Sequence, residues 1–318
     1  MLTPRSLRLL LACTALFVVA AGCANRNGRA ENIDTANRHS VVVSIPPLQY
    51  FAESIGGERV SVKSLTASSA DPETLELSVS TLKTASESPL LLTVGLLPFE
   101  EKVKDVISAS RSDVAVVSLY AGIDLIEGTH DHGKPHDHHH DDECNDGGSH
   151  SANVDPHIWT SLRNARIIAR NTYRALASRF PADSLYFRHR LDSLDHRLDS
   201  LDRVTAIRLA PYRGEGVLVW HPSLSYFTRD YGLKQIAVGH EHKESSIIGI
   251  KERIDLVIEE HPRVFFYQKE YDSRQAATIT EATGLTPVVI APLSPDIEQA
   301  IKTATDAIVN SSPYPDIR

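Results

Sequence analysis

Between His130 and His157 the sequence reads HDHGKPHDHHHDDECNDGGSHSANVDPH, eight histidines in 28 residues. A neutral imidazole offers a nitrogen lone pair and an interleaved Asp or Glu offers an anionic oxygen, so the stretch can take up divalent transition metals. It is not uniform. Around His130, His132, His136, His138, His139, His140 and His150 the intervening residues are mostly Gly, Pro, Asp and Asn, with no apolar anchor to fix a geometry. That part predicts a loose set of weak sites that captures or buffers metal, with an inert solvated insertion as the plain alternative. His157 differs. In DPHIW it has a proline neighbour and a tryptophan two residues on, and His221 has the same company in WHPSLSYF. Each is expected to be stiffly held, partly desolvated and placed at the start of a helix, which favours the neutral, ligating imidazole. A packing role at a strand–helix junction is the alternative for each.

Such side chains need a scaffold. Short β-branched or apolar runs at 41–45, 60–65, 90–94 and 114–119, and again at 217–220, 233–238, 263–268 and 286–290, predict eight strands separated by amphipathic segments. Near-continuous apolar strands alternating with helices indicate parallel sheets covered on both faces, hence α/β with two four-stranded lobes. The lobes are expected at 40–180 and 213–318. Between them, over 181–212, Phe187, Leu191, Leu194, Leu198 and Leu201 recur at helical spacing on a helix of about 26 residues, roughly 39 Å long. The near-repeat LDSLDHR/LDSLDRV leaves a coiled-coil seam open, although a stripe packed on the lobes is the simpler reading.

Parallel sheets gather functional groups beyond the carboxyl ends of their strands. Ligand-type residues found just after predicted strands are Asp71 and Glu73, Asp155 and His157, His221, the group His240, Glu241 and His242, then Glu270, and finally Asp296. His240 and His242 offer either a second site or a solvated loop.

The chain has 318 residues, 42% hydrophobic content and a formal net charge of −8. Nothing in that balance provides the basic face that nucleic acid requires. Residues 1–22 combine a basic start with a short apolar core and read as a secretory leader rather than a spanning helix. The leader ends in AAGC, a lipobox-like sequence that makes Cys23 the expected lipidation site, and 23–39 reads as a polar tether. Cys144 is then the only cysteine of the exported body, so no intrachain disulfide is available. No GxxxxGK[ST] phosphate loop occurs, so any ATP hydrolysis belongs to a partner.

The stretches SIPPLQYFAESIGGERVSV, SADPETLELSVSTL, VGLLPFEEKV, DPHIWTSLRNARIIARN and VWHPSLSYFTRDYGL resemble the ZnuA/TroA-type substrate-binding lipoproteins of bacterial ABC metal importers, over residues 40 to 310. The resemblance implies two α/β lobes joined by a long rigid helix, with one Zn2+ or Mn2+ in the cleft. It also carries His157 and His221 onto two metal-binding positions. At a third, where a histidine is usual, this chain has Glu73. A carboxylate there still ligates zinc but tilts preference toward Mn2+ or Fe2+; the alternative is a solvated acid and a lost ligand. Asp296 is the nearest acid for a variable fourth position, and Glu270 and Asp155 are expected in auxiliary, orienting roles.

The reading is therefore a monomeric, lipid-anchored receptor facing the periplasm or cell exterior, which binds Zn2+ (or Mn2+ or Fe2+) and delivers it to an ABC-type permease and its ATPase. Because histidine ligands must be neutral, affinity should fall as pH drops through about 6.5. A zinc-dependent hydrolase is the competing class, and a surface metal buffer or adhesin acting through the histidine-rich tract is a third.

Overall fold

The computed structural model describes residues 38–111, 113–127, 154–238, 254–255, 257–268 and 273–314. Cys23, the histidines from His130 to His150, His240, Glu241, His242 and Glu270 lie outside them.

Three consecutive valines, Val41 to Val43, carry no accessible surface to speak of and form the heart of β1 (His39–Val43). Around it stand β2 (Val60–Ser64), β3 (Leu90–Thr93) and β4 (Ala115–Ser118), all parallel in the order β2-β1-β3-β4. The helices of this lobe are α1 (Pro46–Gly56), α2 (Val79–Ser86) and α3 (Pro98–Ser110). Both α1 and α3 begin on proline, whose missing N–H costs nothing in the first helical turn. Beyond β3, Glu100 is buried and accepts the N–H groups of Val94, Gly95, Leu96 and Leu97, so one side chain satisfies the whole turn into α3.

Next come α4 (Leu162–Arg179) and the 26-residue α5 (Ser184–Leu209). The second lobe then repeats the first: β5 (Gly216–Val219), α6 (Ser225–Tyr231), β6 (Lys234–Ala237), β7 (Val264–Gln268), α7 (Ser273–Thr283), β8 (Pro287–Ile290) and α8 (Ile297–Asn310). Its parallel order is β6-β5-β7-β8. In both sheets the inner strands are the continuous apolar runs; β3, β5 and β7 are buried at every position. The edge strand β2 alternates instead, because only one of its faces is covered. Eight strands in two four-stranded parallel sheets, flanked by helices, are what the sequence predicted.

The predicted stripe on α5 is buried at Phe187, Leu191, Leu194 and Leu198 and continues through Thr205 and Leu209. It packs against α1 and α4 of the first lobe and α8 of the second, so the chain's own lobes cover it and no coiled-coil seam remains to be filled. Where α1 ends, Gly57 has φ +52, and a Cβ there would collide with the Tyr186 hydroxyl of α5, so glycine is needed both for the turn and for the close approach. Arg166 of α4 holds Asp195 through two bonds of 2.7–2.8 Å and Asp199 at 2.7 Å; this guanidinium keeps the Asp195 carboxyl below the usual carboxylate range. Arg197 with Glu298 (2.8 Å) and Arg208 with Asp306 (2.6 Å) tie α5 to α8. One apolar cluster runs from Val41 through Leu176 and Leu198 to Val219, Phe227 and Ile301, crossing between the lobes. A shared core of this kind resists hinge opening, which would expose much of it to water. Among the described residues no helix is long and apolar enough to cross a membrane.

Candidate metal centre

Two Asp-Pro turns build the first-lobe half of the site. In DPE, the Asp71 carboxylate accepts the Glu73 N–H at 2.9 Å; in DPH, the Asp155 carboxylate accepts the His157 N–H, also at 2.9 Å. Each is an Asx-type turn, with proline presetting the central φ, and each presents the side chain of its third residue at a fixed angle. Asp71 and Asp155 thus act on backbone geometry before they act on anything else.

Asp155 does more. Its Oδ1 also lies 2.9 Å from His157 Nδ1. Burial pushes the Asp155 carboxyl up, but bonds from His157 and Ser225 outweigh it and hold the group below the usual range. An ionised carboxylate only accepts, so Nδ1 carries the proton and the Nε2 lone pair of His157 faces the other way. Tyr226 of α6 donates to the Asp155 carbonyl at 2.7 Å and receives the Ile126 N–H at 3.2 Å. The second lobe thereby pins the loop that bears the first lobe's histidine. Trp159 sets the other wall: its ring centroid is 5.2 Å from that of His157, and its indole N–H donates to Pro292 O at 2.9 Å across the lobes.

His221 follows β5 after a single residue and meets His157 nearly edge to face, with Nε2 to Nε2 at 3.1 Å. Glu73 Oε1 lies 3.4 Å from His157 Nε2 and 3.5 Å from His221 Nε2. All three side chains are under 10% exposed. These three groups form the one cluster of metal-ligand type found among the described residues, their donor atoms lying within 4.8 Å of one another. In a regular tetrahedron with metal–ligand bonds of about 2.05 Å, ligand atoms stand about 3.3 Å apart. The observed 3.1, 3.4 and 3.5 Å edges match one face of it.

Two expectations need correction. Neither histidine opens an α-helix: His157 is the N-cap of a three-residue 3-10 helix, Ile158–Thr160, and His221 stands four residues before α6. The Asp155 carboxylate, not a helix N-terminus, orients His157. Asp296 does not join the cluster. It is exposed and caps α8, accepting the Gln299 N–H at 3.0 Å, the work for which aspartate is favoured at that position. Glu270 lies outside the described residues, and Asp155 occupies the orienting position beside His157. The flanks of the histidine-rich tract, Glu127 and Val154, pair through a β-bridge three residues before His157.

Residues 41–310 match the family described as ZnuA, zinc-uptake complex component A, periplasmic. The chain belongs to this family. A Chlamydia trachomatis protein named for metal binding is 25% identical over 279 residues, covering 87% of this chain and 93% of its own length. The zinc-binding lipoprotein AdcA of Streptococcus pneumoniae is 22% identical over 94% of this chain, which spans 57% of AdcA. A crystal structure of ZnuA superposes with TM-score 0.74 at 27% identity, covering 86% of this chain and 99% of that one; a ZnuA deletion mutant with zinc bound gives 0.74 at 26%, covering 87% and 99%. The fold is shared further with FpvC of Pseudomonas aeruginosa in complex with Mn2+, at TM-score 0.69 and 19% identity over 86% and 97%. The chain is accordingly a metal-binding protein of the zinc-uptake type, and its relatives are metal-binding proteins rather than enzymes, which does not favour the hydrolase alternative.

Proposed function

We propose that the chain is the capture component of an ABC-type importer, binding one Zn2+ through Glu73, His157 and His221 and presenting it to a membrane permease driven by its own ATPase. The observation that carries this reading is the buried triangle of two imidazole nitrogens and one carboxylate oxygen, with edges of 3.1–3.5 Å. A divalent ion bonds all three atoms at once. Two neutral imidazoles and a single carboxylate suit zinc, with Mn2+ and Fe2+ as the harder alternatives. The ion and its three ligands together carry +1, which the ionised Asp155 carboxylate beside His157 offsets inside the shared core.

In this proposal Cys23 is lipidated and residues 23–39 tether a monomeric body at the outer side of a membrane. The body comprises lobes 40–180 and 213–318 and the connecting segment 181–212. The histidines from His130 to His150 serve as a collecting tract, whose return point at Val154 is close in sequence to the ligand His157. Competition titration of the apo chain tests the cargo. One equivalent of Zn2+ should bind in a tight phase that an equal concentration of Mn2+ does not displace, followed by weaker uptake. The absence of a tight one-equivalent phase would overturn the receptor reading.

A further inference from the structure

Strand order and register bring a residue beside His221 that no charge or metal-binding motif marks. β5 and β7 are neighbours where the strand order of the second sheet reverses, and they pair Val217 with Val264, Leu218 with Phe265 and Val219 with Phe266. The Trp220 N–H extends the ladder, donating to Phe266 O at 3.1 Å. Two residues beyond the last of these pairs, the same register sets Gln268, the final residue of β7, level with His221. The crevice outside the carboxyl ends of strands at such a reversal is where open α/β sheets take their ligands.

Gln268, His221 and His157 line one cavity of about 30 Å3. That is room for two water-sized bodies, for instance an ion and one water. Ser68 and Asp71 contribute from the first lobe, while Ala291, Pro292 and Leu293, after β8, bring no donor side chain. Gln268 is only 8% exposed; its amide N–H reaches Ser223 Oγ at 3.4 Å, and its amide oxygen is buried with no hydrogen-bond partner. Native proteins rarely leave a buried acceptor in that condition unless an ion, a water or a function uses it.

We infer that Gln268 is a specificity-determining residue of the centre, its amide oxygen supplying a neutral fourth vertex to the tetrahedral face formed by Glu73, His157 and His221. The inference rests on the proposed ligation by those three. Because the oxygen is neutral, it completes the shell without adding charge. A second carboxylate at the same place would harden the site and favour Mn2+.

The test uses the apo full-length chain carrying Gln268→Leu, Gln268→Glu or, as a control, His221→Ala. Each is titrated with Zn2+ and Mn2+, with Co2+ as a spectroscopic probe and thermal unfolding of the apo form as a check on folding. Gln268→Leu is expected to keep the single tight phase, to weaken its Zn2+ affinity by about 10- to 100-fold, as loss of a supporting polar group at a metal site does, and to change the visible Co2+ bands of that first equivalent. Its apo midpoint should hold or rise, since an unsatisfied buried oxygen is replaced by an apolar group of similar size. Gln268→Glu should raise Mn2+ affinity relative to Zn2+. An unchanged Zn2+ constant and Co2+ spectrum in Gln268→Leu, with binding lost in His221→Ala, would overturn the role of Gln268 and leave the three-ligand centre standing. A lowered apo midpoint with proportionate loss of binding would make Gln268 a packing residue and equally overturn it. Retention of tight one-ion binding in His221→Ala would overturn the centre itself.

Discussion

His157→Ala weakens zinc binding by roughly 100- to 1000-fold. Structural zinc sites with four protein ligands are worth about 10–16 kcal/mol near neutral pH, so one ligand accounts for about 3–4 kcal/mol, and each 1.4 kcal/mol is a factor of ten. The loss should fall at the upper end here. His157 is the ligand whose Nδ1 is held by the Asp155 carboxylate, and its Nε2 stands within 3.1 and 3.4 Å of the other two donors. The substitution removes a pre-oriented lone pair and leaves Asp155 bonded to backbone. The fold is expected to survive, because the ring lies at the margin of the core and the Asx turn does not depend on it. Calorimetric titration of the apo variant with Zn2+, beside its thermal unfolding curve, separates the two effects. Near-normal affinity in a folded variant would exclude His157 as a ligand.

Trp159→Ala has the largest expected effect on stability. The indole is about 1% exposed, packs against His157, and carries the hydrogen bond to Pro292 O that joins residues 133 apart in sequence. Deleting a buried tryptophan side chain costs about 3–5 kcal/mol, and Pro292 O loses its donor as well. For a body of this size the apo midpoint should drop by about 6–20 °C. Trp159→Phe restores most of the apolar volume but not the N–H, so it should recover part of the loss and no more. Zinc affinity should fall in both variants, since the wall that fixes the His157 ring has moved. A midpoint within about 2 °C of the parent for Trp159→Ala would mean that the contact between the lobes carries little stability.

Much of the architecture was legible because it depends on local pattern. Inner strands such as LLLT and VFFYQ are continuous apolar runs, a signature that survives without knowledge of neighbours, and the α5 stripe declares its length by its spacing. The convergence of Glu73, His157 and His221 could be anticipated only as residues at strand ends; their meeting depends on how two lobes pack. Asp296 misled for a physical reason. An acid before a helix is ambiguous between ligand and N-cap, and the capping bond to Gln299, formed within one turn, is the nearer claim on it. The helix-start reading of His157 and His221 failed because the turns after them are too short to carry a dipole. The equivalence of DPE and DPH was on view as a repeated motif, yet its meaning, a carboxylate accepting the N–H two residues on, appears only in the folded geometry. Gln268 was invisible because a neutral amide at a strand end carries no charge signal; only the β5–β7 register brings it beside His221.

The most direct test compares zinc titrations of the full chain and of a chain with residues 128–153 replaced by a short Gly-Ser link between the paired residues Glu127 and Val154. If the buried triangle is the receptor site, the shortened chain keeps one tightly bound Zn2+ with an unchanged dissociation constant and loses only the weaker equivalents. Disappearance of the tight equivalent with the tract would contradict this and would make the histidine-rich stretch itself the metal-binding part of the molecule.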